Sequence, residues 1–430
     1  MKRPAATLLI IGSTVFMLVT GIAAVMVVAL LVSNLTPATS ALSGPPPVVS
    51  SGSPTAPAGD RLSDYSFGHT AAAVLPAGPG VAVEATQRIP FTVQADVTSM
   101  RLHVRNWNYI EDKPLAGTID ISAIAMGRAA SGEIAGDSSA FAAAPAVFSA
   151  GTTLTDGAEF VSDWVGADAV GFEKGAPLFL SLGFSAPADT ELGIGWDVSW
   201  LLPSSSAASV TTEKSVGSYQ MGGSFLDIWM DYTYSGSEKL VVVAGHSLNS
   251  GANGRAADHP HTGENSSWHQ VWADDNDAVA ASLSAPGSWT ANFPADSPKW
   301  ELYPGLKPDA FVLWAASNDI AGGADVDALK AEWLSSLARA KQLWPDAKMF
   351  AFTEPGRALT GQLEANRVRW NDWLRSDTSG AFTVVDADAL LSDPDHPDRL
   401  DPAINGDDAH PAPAGYARVA QAFQCAFAGC

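Results

Sequence analysis

The second half of the chain alternates short apolar runs with helical periods, and few architectures accept that rhythm. Residues 240–244, 311–315, 349–352 and 382–385 are short, mostly apolar segments, as strands buried on both faces require. Between them Val326, Leu329, Trp333 and Leu337 share one helical face, and Leu363, Val368, Trp370 and Trp373 another. A last helix is expected over residues 414–427. Strands alternating with helices predict a parallel sheet covered by helices on both faces. In such sheets the working groups gather beyond the carboxyl ends of the strands.

The rest of the chain reads differently. Residues 1–33 hold Lys2 and Arg3 followed by an uncharged apolar run, long enough to cross a bilayer as a helix. The basic pair precedes the run and no Lys or Arg follows until Arg61, so the folded part is expected outside the cytoplasm. The run is longer than the apolar region of a secretory signal, which favours a retained single-pass anchor over cleavage and secretion. Residues 34–60, rich in Pro, Ser, Gly, Ala and Thr, read as an exposed spacer. Residues 61–236 alternate as half-buried strands do: Ile89, Phe91, Val93, Ala95 and Val97, then Met100, Leu102 and Val104, and later Leu192, Ile194, Trp196, Val198 and Trp200. An all-β sandwich or jelly roll is expected there, and residues 237–430 form the α/β part.

Charge narrows the partners. With 24 Lys plus Arg against 46 Asp plus Glu, the formal net charge is −22. Such a surface repels phosphate backbones and anionic headgroups, so no nucleic-acid partner is expected and membrane contact runs through the apolar N-terminus. The two cysteines, Cys425 and Cys430, can close a short terminal loop as a disulfide if the domain is exported.

Three segments carry chemistry. The strand at 240–244 runs into Gly245-His246-Ser247-Leu248-Asn249, a tight polar turn that holds a serine at the top of the sheet. A serine hydroxyl needs a base, and the base needs a partner that fixes its tautomer. Asn405-Gly406-Asp407-Asp408-Ala409-His410 offers both, with Asp407 able to orient the His410 imidazole. Ala316-Ser317-Asn318-Asp319 closes another apolar strand, and an asparagine amide there can donate to a developing oxyanion.

In order, spacing and strand-end placement these segments resemble the SGNH (GDSL-type) hydrolase family over about the last 190 residues. Gly245-His246-Ser247-Leu248 is similar to its first block, Ala316-Ser317-Asn318-Asp319 to its third and Asp407-Asp408-Ala409-His410 to its fifth. Gly287, in Leu283-Ser284-Ala285-Pro286-Gly287-Ser288, is the match for the second. The resemblance implies a three-layer, flavodoxin-like α/β domain with a serine esterase site. Ser247 is then the nucleophile, His410 the base and Asp407 its orienting partner. The amides of Ser247 and Gly287 and the side chain of Asn318 would line the oxyanion hole. Two positions depart from the family: His246 replaces an aspartate, which should weaken hydrogen bonding within the turn, and Ala316 replaces a glycine.

Other polar residues surround this frame. Asp258, His259, His261, Glu264 and His269 cluster after the nucleophile turn, but their spacing fits no single helix face and a metal is not expected. His246, Arg255, His259 and His261 read as substrate-lining. Asn106-Trp107-Asn108-Tyr109 and other tryptophans offer a sugar platform, although most Trp of a sandwich fill its core. The expected activity is hydrolysis of acyl esters, such as acetyl esters, on envelope or extracellular carbohydrate, without metal or organic cofactor. Acyl transfer by the same triad and an inactive carbohydrate-binding or adhesion protein are the alternatives.

Overall fold

A computed structural model describes residues 39–41, 61–69, 71–76, 82–130, 139–188, 190–195, 199–202, 209–215, 219–221, 224–251, 266–301 and 305–430. The expected anchor at 1–33 lies outside the described residues. Of the 34–60 spacer only Thr39–Ala41 is described, paired as a strand with Thr212–Ser215. Among the described residues no helix is long and apolar enough to cross a membrane. The fold is mixed α/β, with a β-rich N-terminal part and a C-terminal α/β part.

Five parallel strands form the C-terminal sheet: β1 (Leu240–Gly245), β2 (Val279–Ser282), β3 (Ala310–Trp314), β4 (Lys348–Phe352) and β5 (Thr383–Val385), in the order β2-β1-β3-β4-β5. The helices are α1 (Trp268–Asn276), α2 (Ser317–Ala321), α3 (Val326–Leu343), α4 (Gln362–Arg375), α5 (Ala387–Leu391) and α6 (Pro413–Ala428). Alternate strand residues point to opposite faces, and the packing follows that alternation. Val242, Ala244, Phe311, Leu313 and Ala351 meet α3 and α4 through Val326, Leu329, Trp333 and Trp370. Val241, Val243, Val312, Trp314 and Phe350 meet α1 and α6 through Trp268, Trp272, Val419 and Phe423.

Local chemistry explains the helix ends. Asp325 caps α3 by accepting from the N–H groups of Asp327 and Ala328. Pro413 opens α6, where its missing N–H costs nothing, and Gly429 closes it at φ 80°. On α4 the buried face is Arg367, Trp370, Asn371 and Leu374, while Val368 is exposed. The expected apolar stripe is displaced because Arg367 and Asn371 hydrogen-bond the backbone of Glu354. Cys425 and Cys430 are exposed free thiols.

The N-terminal part contains two larger antiparallel sheets sharing one core. Thr118–Arg128, Leu178–Ala186 and Val83–Phe91 lie at the centre of the seven-stranded sheet, and Val97–Arg105 and Asp227–Tyr234 of the five-stranded one. Ile89, Phe91, Leu180 and Leu182 of the first pack with Met100, Leu102, Val104 and Met230 of the second. Val93 and Ala95 belong to the buried link between strands rather than to a strand. The segment 192–200 is not one strand. Glu191–Gly195 joins a separate three-stranded sheet and Ser199–Leu202 the seven-stranded one. Period-two alternation cannot distinguish them, because it records facing and not partner. Trp196 and Val198 lie outside the described residues.

This β core continues without a break into the α3 side of the C-terminal part, and polar contacts reinforce the junction. Arg61 donates to Asp309 at 3.4 Å. His69 bridges Asp227 at 2.8 Å and the Ser282 carbonyl at 3.1 Å, and its ring stacks on Tyr109 with centroids 4.0 Å apart. The buried Tyr109 hydroxyl donates to the Leu283 carbonyl at 2.7 Å. Next to it, the Ile110 carbonyl accepts from Asn292 and Lys299. The expected aromatic platform at 106–109 is therefore mostly an internal joint, with Tyr109 buried and Arg105 lying 4.4 Å over the Trp107 ring. Replacing Tyr109→Phe leaves a buried carbonyl unpaired, and a stability loss of about 1–3 kcal/mol is expected in urea melts. An unchanged midpoint would show the joint contributes nothing.

Candidate active site

Gly245 ends β1 at φ +146°, and a Cβ there would stand 1.7 Å from the Trp314 carbonyl oxygen. Only glycine lets the chain leave the sheet so close to β3. The turn that follows is held from three sides. Asn249 donates its N–H to the His246 carbonyl at 3.0 Å and its side-chain amide to the Ala244 carbonyl at 3.0 Å. From α1, Trp268 donates its indole N–H to Asn249 Oδ1 at 2.9 Å, and His269 Nε2 donates to the Asn249 carbonyl at 2.8 Å. Ser247 is thereby fixed above the carboxyl end of β1, and 9% of its surface remains exposed.

His410 Nε2 lies 2.7 Å from Ser247 Oγ. On the other side of the ring, Nδ1 lies 3.0 and 3.1 Å from the two Asp407 oxygens. The loop holds itself: the His410 N–H donates to Asp407 Oδ1 at 2.8 Å, and the Gly406 N–H to the His410 carbonyl at 2.9 Å. Burial pushes the Asp407 carboxyl up, but its hydrogen bonds and attraction to His410 outweigh that and bring it down to about 2. A carboxylate across Nδ1 selects the tautomer whose Nε2 accepts a proton.

Two further turns follow the carboxyl ends of β2 and β3. Ala285-Pro286-Gly287-Ser288 is a tight turn in which the Ser288 N–H returns to the Ala285 carbonyl at 3.1 Å and Gly287 takes φ +83°. Proline followed by a positive-φ glycine is the type II pattern, which leaves the glycine N–H outside the turn's own hydrogen bond. Asn318 opens α2, where its amide nitrogen donates to the Ser288 carbonyl at 2.9 Å and its oxygen accepts from Arg357 Nη1 at 3.2 Å. The same Nη1 reaches Ser317 Oγ at 2.9 Å. These two partners fix which end of the Asn318 amide faces Ser288. The adjacent Asp319 accepts the Thr290 N–H at 2.9 Å, and burial raises its carboxyl to about 7 despite that bond. Trp289 is 40% exposed, and its ring covers Gly322 so closely that a Cβ there would meet it at 2.3 Å.

His246 is fully buried and points away from the serine toward Glu354. It is not a substrate-lining residue, since its ring is occupied inside the protein. Nor is the turn's hydrogen bonding depleted by the missing aspartate, because His246 Nδ1 accepts the Leu248 N–H at 3.3 Å. Arg255, His259 and His261, with Asp258 and Glu264, lie outside the described residues. His269, the remaining member of that cluster, sits on α1 and holds the turn that carries Ser247. Among the described residues no group of three His, Cys, Asp or Glu is placed to hold a metal ion. Glu354 and Arg357 were not singled out from sequence. The available signal was their position in the loop that follows the apolar segment 349–352, where a parallel sheet places its working groups.

Residues 243–418 match the GDSL-like lipase/acylhydrolase family. The C-terminal part of the chain is a GDSL-like lipase/acylhydrolase domain, and the protein is a carboxylic ester hydrolase of that type. Among curated proteins no sequence matches the chain. Similar solved structures include a family two carbohydrate esterase from Clostridium thermocellum in complex with cellohexaose, at 14% identity and TM-score 0.35, covering 83% of this chain and 96% of that one. A Corynascus thermopiles (Myceliophthora fergusii) carbohydrate esterase family 2 enzyme with a carbohydrate-binding domain aligns at 14% identity and TM-score 0.36, over 85% and 99% of the two chains. A member of the lipolytic G-D-S-L family from Veillonella parvula aligns at 14% identity and TM-score 0.34, over 44% and 98%.

The His269 support predicts an acid limit. Burial holds its ring down to about 3, against a hydrogen bond to Asn249 that opposes the shift. The unfolded chain binds this proton below about pH 6.5 and the folded chain does not. Stability should therefore fall as pH drops from about 6.5 toward 3, by up to ~1.4 kcal/mol per pH unit from this group. His269→Gln keeps a donor for Asn249 and removes the titration. Chemical denaturation across that range should show a shallower pH slope for the variant, and identical slopes would refute the assignment.

Proposed function

We propose that the protein is a serine esterase that removes acyl groups from carbohydrate outside the cytoplasm, with Ser247 as nucleophile, His410 as base and Asp407 as the base's orienting partner. The observation that carries this reading is the 2.7 Å contact between His410 Nε2 and Ser247 Oγ, with Asp407 across the ring. His410 takes the serine proton as Oγ attacks the ester carbonyl. The Ser247 and Gly287 N–H groups and the Asn318 amide receive the negative charge that develops on the carbonyl oxygen. His410 then passes its proton to the departing sugar oxygen, leaving an acyl-enzyme. Water, deprotonated by the same imidazole, releases the acid.

Two features support the substrate class. Trp289 offers an exposed indole face two residues from Gly287, a surface suited to a sugar ring. The apolar run at 1–33, preceded by Lys2 and Arg3, fits export with retention at the membrane, with residues 61–236 as a β-sandwich and 237–430 as the hydrolase domain.

A serine-directed fluorophosphonate should label Ser247 in the soluble chain, and the adduct should vanish in His410→Ala. Turnover of 4-nitrophenyl acetate should fall at least ~10³-fold in Ser247→Ala. Trp289→Ala should raise KM for an acetylated oligosaccharide about tenfold and leave the small ester unchanged. Absence of label in folded protein would sink the esterase assignment; equal effects of Trp289→Ala on both esters would sink only the sugar platform.

A further inference from the structure

The two positions where this domain departs from its family, His246 and Ala316, meet at one side chain that belongs neither to the proposed triad nor to the oxyanion donors. Glu354 lies two residues beyond the end of β4, and its side chain is 1% exposed. Its carboxylate receives three donors. His246 Nε2 lies 3.1 Å from Oε2 and 3.3 Å from Oε1, the Trp314 indole N–H lies 3.1 Å from Oε2, and the Ala316 N–H lies 2.9 Å from Oε1. Because His246 Nδ1 accepts the Leu248 N–H, the ring hydrogen sits on Nε2 and points at the carboxylate. The backbone of Glu354 is clamped as firmly. Its N–H donates to Asn371 Oδ1 at 2.8 Å, and its carbonyl accepts from Asn371 Nδ2 and Arg367 Nη1, both at 2.8 Å.

We propose that Glu354 is the positioning residue of this site: through His246 it holds the turn that carries Ser247, and through the Ala316 N–H it holds the turn that carries Asn318. Nucleophile and oxyanion donor are then set by one carboxylate, while His246 Nδ1 keeps in the turn the acceptor that an aspartate at 246 would supply. The inference rests on the roles given to Ser247 and Asn318 above. An aspartate at 246 is compatible with the Leu248 N–H but sets a second carboxylate against Glu354, so positions 246 and 354 depend on each other. A buried acceptor-only group needs donors on every side, and His246 supplies one that aspartate does not.

The test is a double-mutant cycle on the soluble chain, read with 4-nitrophenyl acetate across about pH 6–9, with melting temperatures measured alongside. Glu354→Gln turns an acceptor oxygen into a donor facing another donor, and should lower kcat about 10–100-fold with KM within about twofold. His246→Asp should lose at least as much, more so at the alkaline end. The combined variant should recover at least about tenfold over His246→Asp, because glutamine donates to the new carboxylate. Should Glu354→Gln fail to fold, His246→Ala removes the donor to Glu354 from the other side, together with the Leu248 acceptor, and at least the same loss in kcat is expected. Unchanged kcat, a loss carried by KM, or losses that simply multiply in the combined variant would each overturn the inference. If Ser247→Ala is inert in those experiments, the esterase reading survives that failure; a Ser247→Ala protein as active as the parent overturns the esterase reading instead.

Discussion

The close approach of β1 to β3 at Gly245 is the constraint on which the rest of the site depends. A side chain there would occupy the space of the Trp314 carbonyl oxygen, so the chain can leave the sheet at that point only as glycine. With the two strand ends drawn together, the serine turn, the Asn318 turn and the segment after β4 share one small volume. Every polar group in that volume loses water and must find a partner within the protein. Asn249 ties the turn to its own strand and to α1, Asp319 ties Thr290 to α2, and Glu354 collects three donors that would otherwise be stranded.

Much of the C-terminal architecture was legible because it rests on local signals. Four apolar segments became β1, β3, β4 and β5, and the face of Val326, Leu329, Trp333 and Leu337 and the expected last helix became α3 and α6. The contact between Asp407 and His410 was legible for the same reason, since the two residues lie three apart. Helix α1 was missed because its Trp and Val residues sit among His, Gln, Asp and Asn, and the segment reads as a polar loop. The role of Glu354 was invisible because its partner His246 is 108 residues away, and no local pattern encodes such a contact. The inner face of α4 was misjudged for a related reason: Arg367 and Asn371 are buried to serve a backbone elsewhere, against their usual preference for the surface.

In the β-rich part, alternation identified faces correctly at Met100, Leu102 and Val104 but could not choose partners, and so one apparent strand proved to be two. The contribution of this part to the site is also tertiary. Tyr109 and His69 reach the carbonyls of Leu283 and Ser282, just before the turn that presents Gly287, and the two parts share a continuous apolar core. The β region is thus mechanically coupled to the hydrolase domain and is not a module hung on a linker.

The order of the groups along the chain has a consequence for biosynthesis. Ser247 and His410 are 163 residues apart, while the imidazole and Asp407 arrive almost together. At a ribosomal rate of about 5–20 residues per second, the serine precedes its base by roughly 8–33 s. On the roles proposed above, the hydroxyl is an ordinary alcohol during that interval, until the loop that carries His410 reaches it. On that reading a nascent chain that ends before the loop carries no base for Ser247, and the order of synthesis itself keeps the chemistry silent until the loop is made.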